Sequence, residues 1–322
     1  MTPARRAEPV SELVERAREG KARAVARLIS LVEEESSELR DVMATLTPHV
    51  GGAHIVGVTG APGVGKSTST SALVTALRRT DKRVAVLAID PSSPFSGGAL
   101  LGDRVRMGDH TTDARVFIRS MAARGHLGGL SWAAPQAIRV LDASGFDVVI
   151  VETVGVGQSE VEVAGTADST VVLLAPGMGD GIQAAKAGIL EIGDLYVINK
   201  ADRDGAEQAK RDLRAMLKLT ERTEDSWEPP VLATVATNGE GVDAVVERLE
   251  QHRAWAEESG ALERRRVRRA RDEVEALALT AMRKRWGGVS DGDRLDDLAH
   301  QVAAGELDPY TAADRLLGEG AQ

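Results

Sequence analysis

His54-Ile55-Val56-Gly57-Val58-Thr59 runs directly into Gly60-Ala61-Pro62-Gly63-Val64-Gly65-Lys66-Ser67-Thr68, and this junction decides the fold. The first part is a short apolar, β-branched run, the signature of a buried strand. The second matches G-x-x-x-x-G-K-[ST], a glycine-rich loop that opens a helix. Glycines let the backbone curl so that successive N–H groups converge on a phosphate, and the helix N-terminus adds partial positive charge. A chance glycine turn would not sit between strand and helix in this order. The nine residues Gly60 to Thr68 are therefore read as a phosphate cradle. Lys66 reaches the β- and γ-phosphates and serves the chemistry, and the Ser67 hydroxyl is placed for Mg²⁺.

Working outward, the same strand signature recurs in RVAVLAID (83–90), RVFIR (115–119), FDVVIVET (146–153), STVVLLA (169–175), DLYVIN (194–199) and PVLATV (230–235). Helical stretches separate these runs. That alternation predicts an α/β fold with a mostly parallel P-loop NTPase sheet flanked by helices. Both ends of the chain read differently. Residues 10–45 have helical periodicity, broken at Glu19-Gly20-Lys21, and the C-terminal stretch is helical again, with Asp308-Pro309 as an N-cap and first-turn proline. The expected organisation is an N-terminal helical extension at 1–50, a nucleotide domain at 51–256 and a helical arm at 257–322.

Ligands of such sheets lie at the carboxyl ends of the strands. Asn199-Lys200-Ala201-Asp202 ends the sixth run, where Asp202 can accept from N1–H and the exocyclic amine of guanine, a pairing adenine cannot offer. A carboxylate left unpaired by the wrong base gives discrimination of roughly 10⁴-fold. Val235-Ala236-Thr237 follows the last run and offers backbone N–H groups to guanine O6, although serine is the more usual residue at Val235. Asp90 and Glu152 end two other strands and are candidates for the Mg²⁺ shell. Gly155 corresponds in place to a glycine that senses the γ-phosphate, and Val156 stands where many GTPases carry the glutamine that orients water. Gln158 is the candidate substitute. Residues 91–114, which contain Asp103 as a further metal candidate, and residues 176–188 are glycine-rich loops of the kind that respond to a γ-phosphate.

Composition narrows the partners. There are 49 acidic residues against 40 basic, a net charge of −9, which argues against a nucleic-acid backbone as partner. No cysteine is present, so thiolate metal sites and cysteine nucleophiles are excluded. No apolar run approaches a membrane span and the first residues lack a signal core, so a soluble cytoplasmic protein is expected. His49, His54, His110, His126, His252 and His300 show no ligand spacing. The basic run Arg264–Arg271 is interleaved with Val267 and Ala270, which begin an apolar series continuing through Val274, Leu277 and Ala281. It reads as the solvated face of a packed helix.

GVTGAPGVGKST, AIDPSSPFSGGALLGDRVRM, ETVGVGQSEVEVAGTAD and GMGDGIQAAKAGILEIGDLYVINKAD together resemble the MeaB/ArgK group of P-loop GTPases, whose human counterpart is the methylmalonic aciduria type A protein. The resemblance spans roughly residues 10–260. It implies a homodimeric GTP-binding and GTP-hydrolysing chaperone of an adenosylcobalamin-dependent methylmalonyl-CoA mutase or related acyl-CoA mutase, one that gates cofactor loading and protects the enzyme. It further implies Asp90, Asp103 and Glu152 around Mg²⁺, Asp180, Gln183 and Lys186 on a switch loop coupled to the mutase, and dimerisation through the C-terminal arm. Two competing readings are a GTPase metallochaperone and a kinase of a periplasmic amino-acid transport protein.

Overall fold

The structure, a computed structural model, describes residues 9–34, 36–91, 108–110, 112–123, 133–153, 159–177, 189–219, 226–285 and 292–318. Asp103, Gly155, Val156, Gln158, Asp180, Gln183 and Lys186 lie outside them, and Asp90 is described by its backbone alone. The chain divides into a large unit, 1–265, and a smaller one, 266–322.

The large unit is built on seven strands: β1 His54–Gly60, β2 Val84–Pro91, β3 Val116–Ala123, β4 Val148–Thr153, β5 Ser169–Leu174, β6 Leu195–Asn199 and β7 Val231–Thr234. They pair in the order β3-β2-β4-β1-β5-β6-β7, and every pairing is parallel. The expected mostly parallel sheet is what forms. Both faces carry apolar side chains because both are covered, and that is why the strands read as unbroken apolar runs.

Period two along each strand assigns the faces. Val56 and Val58 of β1, Val148 and Ile150 of β4, and Val171 and Leu173 of β5 pack under α4 (Lys66–Arg79) and α9 (Val242–Glu258). On the opposite face Ile55, Leu87, Met121 and Val149 meet α1 (Val10–Arg18), α2 (Ala22–Glu33), α3 (Leu39–Leu46) and α5 (Ala133–Ala143). The short α6 (Ser159–Thr166) adds Val163 to that core. Beyond a short α7 (Ile189–Ile192), α8 (Ala206–Leu217) covers β6 and β7 with Leu213 and Leu217. The N-terminal helices break where the sequence predicts, at Glu19-Gly20-Lys21 between α1 and α2. They are fastened to the sheet by Arg119 of β3, which pairs with Glu33 and donates to Ser30 Oγ at 3.3 Å.

α10 (Ala261–Arg285) begins in the large unit, and the division between units falls inside it. α11 (Gly292–Ala303) and α12 (Pro309–Gly318) belong to the small unit. Asp308 caps α12 as expected, its Oδ1 accepting from the N–H groups of Tyr310 and Thr311 at 3.0 Å each. One expectation fails on α10. Val267, Val274 and Leu277 are 62, 66 and 47% exposed, so among the described residues nothing packs over the apolar series.

The basic run also holds a correction. Arg265 is not a solvated side chain: it grips Asp194, just ahead of β6, through Nη1–Oδ2 at 2.8 Å and Nη2–Oδ1 at 2.6 Å. Asp194 further accepts from the N–H of Thr170 at 2.8 Å, and its Oδ1 lies 3.2 Å from His252 Nε2. Ser169 Oγ stands 2.6 Å from His252 Nδ1 and 2.7 Å from His54 Nε2. With Nε2–H of His252 facing the carboxylate, its Nδ1 accepts from Ser169, whose oxygen accepts from His54. This chain of bonds joins the amino ends of β1, β5 and β6.

Burial alone would raise the Asp194 pKa, but hydrogen bonds from Arg265 and His252 outweigh it and hold it at about 2, against an ordinary 3.8. The folded state thus binds its proton more weakly than the unfolded chain. Asp194 contributes stability that is complete above 3.8 and disappears as pH falls toward about 2. Urea unfolding across that window should show Asp194→Asn losing less stability with falling pH than wild type. Parallel slopes would show that Asp194 carries no such linkage.

Candidate functional site

The phosphate loop sits at the carboxyl end of β1, as its sequence requires. Gly60, Gly63 and Gly65 have φ of 142°, 81° and 97°, values that L side chains rarely adopt. Two of these glycines are also fixed by space. A Cβ on Gly60 would lie 2.3 Å from the carbonyl oxygen of Leu173, and one on Gly65 would lie 2.6 Å from Asn199 Nδ2. Gly65 in the left-handed conformation starts α4, so the helix N-terminus opens into the loop. Lys66 is buried, with Nζ donating to the carbonyls of Gly60 at 2.6 Å and Ala61 at 3.1 Å. Its ammonium is thereby held against the first two residues of the loop. Pro62 and Thr68 are exposed and Val64 is buried against α4.

Ser67 and Glu152, both expected near Mg²⁺, are in contact: Ser67 Oγ donates to Glu152 Oε1 at 2.7 Å. Glu152 is 3% exposed at the end of β4, beside β1 and β2. A hydroxyl and a carboxylate at a phosphate loop form a hard-oxygen set suited to Mg²⁺, which keeps several waters and takes few protein ligands. Asp90 extends β2 two residues past Ala88, the register partner of Glu152, so its position shares that strand end.

The base loops converge on the phosphate loop from β6 and β7. Asn199 is 3% exposed; its Nδ2 donates to the carbonyl of Val64 at 2.8 Å, while Oδ1 accepts from Thr234 Oγ1 at 3.2 Å and from the Ala236 N–H at 3.1 Å. Lys200, at a positive φ of 57°, donates from Nζ to the carbonyl of Gly63 at 2.6 Å. Asp202 is exposed at the head of the same turn. Of the three amides expected to face guanine O6, two are spoken for: Val235 N–H bonds the Glu240 carbonyl and Ala236 N–H bonds Asn199. Among the described residues, Thr237 is the one of the three whose N–H is not engaged in this way. Sequence reading did not separate the three because the distinction depends on a bridge between Val235 and Glu240 that closes the loop behind them.

Two other features have the look of sites. Ser169, His252 and Asp194 are ordered like a nucleophile, base and orienting acid. Ser169 is fully buried and its oxygen is also bound to His54, so no substrate can reach it. A cleft of about 380 Å³ is lined by His54, Leu73, Lys82, Val246 and Arg253, among others. It opens at the amino ends of the strands, away from the loops that carry the chemistry. Among the described residues no helix is long and apolar enough to cross a membrane.

Comparison with known proteins agrees with this geometry. A family model described as methylmalonyl Co-A mutase-associated GTPase MeaB matches residues 25–289. A relative from Pyrococcus horikoshii, which carries a GTPase name, is 46% identical over 96% of this chain and 98% of its own. The methylmalonic aciduria type A homolog of Mus musculus, described as mitochondrial, is 35% identical over 90% of this chain and 69% of its own. A crystal structure described as an LAO/AO transport system kinase superposes with a TM-score of 0.73 at 30% identity, covering 96% of each chain.

Asn199→Ala removes the bonds that hold the base loops to the phosphate loop. Buried hydrogen bonds contribute about 1 kcal/mol each, so nucleotide affinity should fall on the order of tenfold to a hundredfold. Titration with a fluorescent nucleotide measures this; an unchanged affinity would mean the loops hold their positions without that amide.

Proposed function

Because the chain belongs to the MeaB family of methylmalonyl Co-A mutase-associated GTPases, we propose that it binds GTP with Mg²⁺, hydrolyses it slowly, and times the loading and protection of a cobalamin-dependent acyl-CoA mutase. The observation that carries the nucleotide part is the union of loops at Asn199 and Lys200. Both side chains bond phosphate-loop carbonyls while Asp202 stands at the same turn. A guanine held by Asp202 and the Thr237 N–H would then be in fixed register with phosphates on Gly60 to Thr68. The Ser67 hydroxyl and Glu152 would hold Mg²⁺ directly or through water, and the ion would neutralise charge developing on the phosphates.

Lys66 contributes a fixed positive charge that stabilises the negative charge of the transferring phosphoryl group. In the sequence Val156 follows Gly155 where many GTPases carry a water-orienting glutamine, so the isolated protein should turn over on the order of a few GTP per minute or less. Lys66→Ala should abolish that turnover, and a fast wild type or an active variant would contradict the mechanism. Residues 91–114 and 176–188, with Lys186 among them, are proposed to read the γ-phosphate for the mutase, and the exposed apolar positions of α10 to pair with a second copy. The action is proposed to take place in the cytoplasm.

Asp202→Asn should shift preference from GTP toward XTP, because xanthine replaces the 2-amine with a carbonyl that an Asn amide can donate to. Wild type that binds ATP as tightly as GTP would overturn the base assignment. Titrating the partner mutase should raise GTP turnover, and a non-hydrolysable analogue should change mutase affinity by the same coupling, typically about 1–3 kcal/mol. No stimulation and equal affinity in both nucleotide states would remove the mutase from the proposal. Transfer of the γ-phosphate to a protein acceptor instead of water would favour the kinase reading suggested by the structural neighbour's description.

A further inference from the structure

α4 and α9 lie on one face of the sheet but over different strands: α4 packs on β1, β2 and β4, and α9 on β5, β6 and β7. Toward its end α9 is held over β5 and β6 by His252, a fully buried side chain bonded to Ser169 and beside Asp194. Between the two helices remains the cleft of about 380 Å³. Protein interiors leave few voids larger than a water molecule, and this volume falls among those of small-ligand pockets. Every residue lining it is among the described ones and belongs to the large unit.

The floor of the cleft is apolar. Val56 and Ile150 rise from the sheet, Leu73 and Leu77 come from α4 and Leu249 from α9, each 5% exposed or less. The mouth is charged, and its charges do not balance. Arg253 donates from Nε to Glu257 Oε1 at 2.9 Å, so these two neutralise each other. Lys82, Asp147 and Glu250 are left, and among the described residues none of the three forms an ion pair. One cation against two carboxylates leaves an excess of one negative charge at the rim of an apolar slot. Asp147 commits Oδ2 to the N–H of Arg83 at 2.7 Å. Glu250, which follows Leu249 on α9 and is exposed, has no hydrogen bond among the described residues. A carboxylate head on a ligand would meet like charge there, and a neutral head would leave the excess uncompensated.

We propose that this cleft binds a small apolar molecule with a single ammonium head, its apolar part between α4 and α9 and its ammonium at Glu250. The cleft lies at the amino ends of the strands, so the proposal stands apart from the nucleotide reading. Isoamylamine, isoamyl alcohol and isocaproate share one branched apolar group and differ in the charge of the head. Each is titrated into the full-length protein carrying labelled Ile and Leu methyl groups, followed by nuclear magnetic resonance. Isoamylamine should shift the methyl signals of Leu73, Ile150 and Leu249 saturably. It should bind about fivefold more tightly than the alcohol, the scale of an exposed charge pair, with isocaproate weakest. Glu250→Gln should remove that preference while the alcohol's affinity and the melting temperature stay at wild-type values. No saturable shift at those methyls, an amine bound no more tightly than the alcohol or the carboxylate, or a Glu250→Gln variant that keeps the preference would each overturn the proposal.

Discussion

The side-chain amide of Asn199 is the joint on which the site depends. It is a buried group with one donor face toward the phosphate loop and one acceptor face toward Thr234 and Ala236. An amide in this position is satisfied only if the loops after β1, β6 and β7 are in register with one another. Burying it unpaired would cost about 1–3 kcal/mol, so loops and amide stabilise a single arrangement. The glycine at position 65 follows from the same joint, because Asn199 Nδ2 occupies the space that a Cβ would take.

A second constraint works from the opposite edge of the same strands. Asp194, Arg265, His252, Ser169 and His54 form one bonded series, which holds the amino ends of β1, β5 and β6 while the nucleotide loops occupy the carboxyl ends of β1, β6 and β7. Removing a partner from such a buried network leaves an uncompensated charge, and this makes its members less replaceable than their individual bond energies suggest. The sheet is thus tied at both ends, polar below and phosphate-directed above, with apolar packing between.

Much of this was legible in the sequence where the signal is local. The strands, the break between α1 and α2, the cap at Asp308 and the glycine loop each depend on neighbours a few residues away. The contact of Ser67 with Glu152 joins residues 85 apart, yet it could be anticipated because one opens the helix after β1 and the other lies at the end of the neighbouring β4. The rest depends on pairs far apart in sequence. Arg265 sits among other arginines, and only the meeting of α10 with the start of β6 distinguishes it from them. His54 and His252 have no ligand spacing because they are bonded through a serine rather than to a metal. The apolar series of α10 has the spacing of a packed seam, yet periodicity says only that a face is apolar, never what covers it. Thr237 could not be told from Val235 and Ala236 without the bridge that engages the Val235 amide and the Asn199 side chain that engages the Ala236 amide.

The aromatic residues around Asp194 have an optical consequence. Trp227 donates from Nε1 to the Asp194 carbonyl at 2.8 Å, its ring meets His252 edge-on with centroids 5.0 Å apart, and Trp255 lies 5.7 Å from both. Indole emission responds to the charge and mobility of its immediate surroundings. The chain therefore carries an intrinsic fluorescence probe at the amino edge of its sheet, far from the phosphate loop and readable without any label.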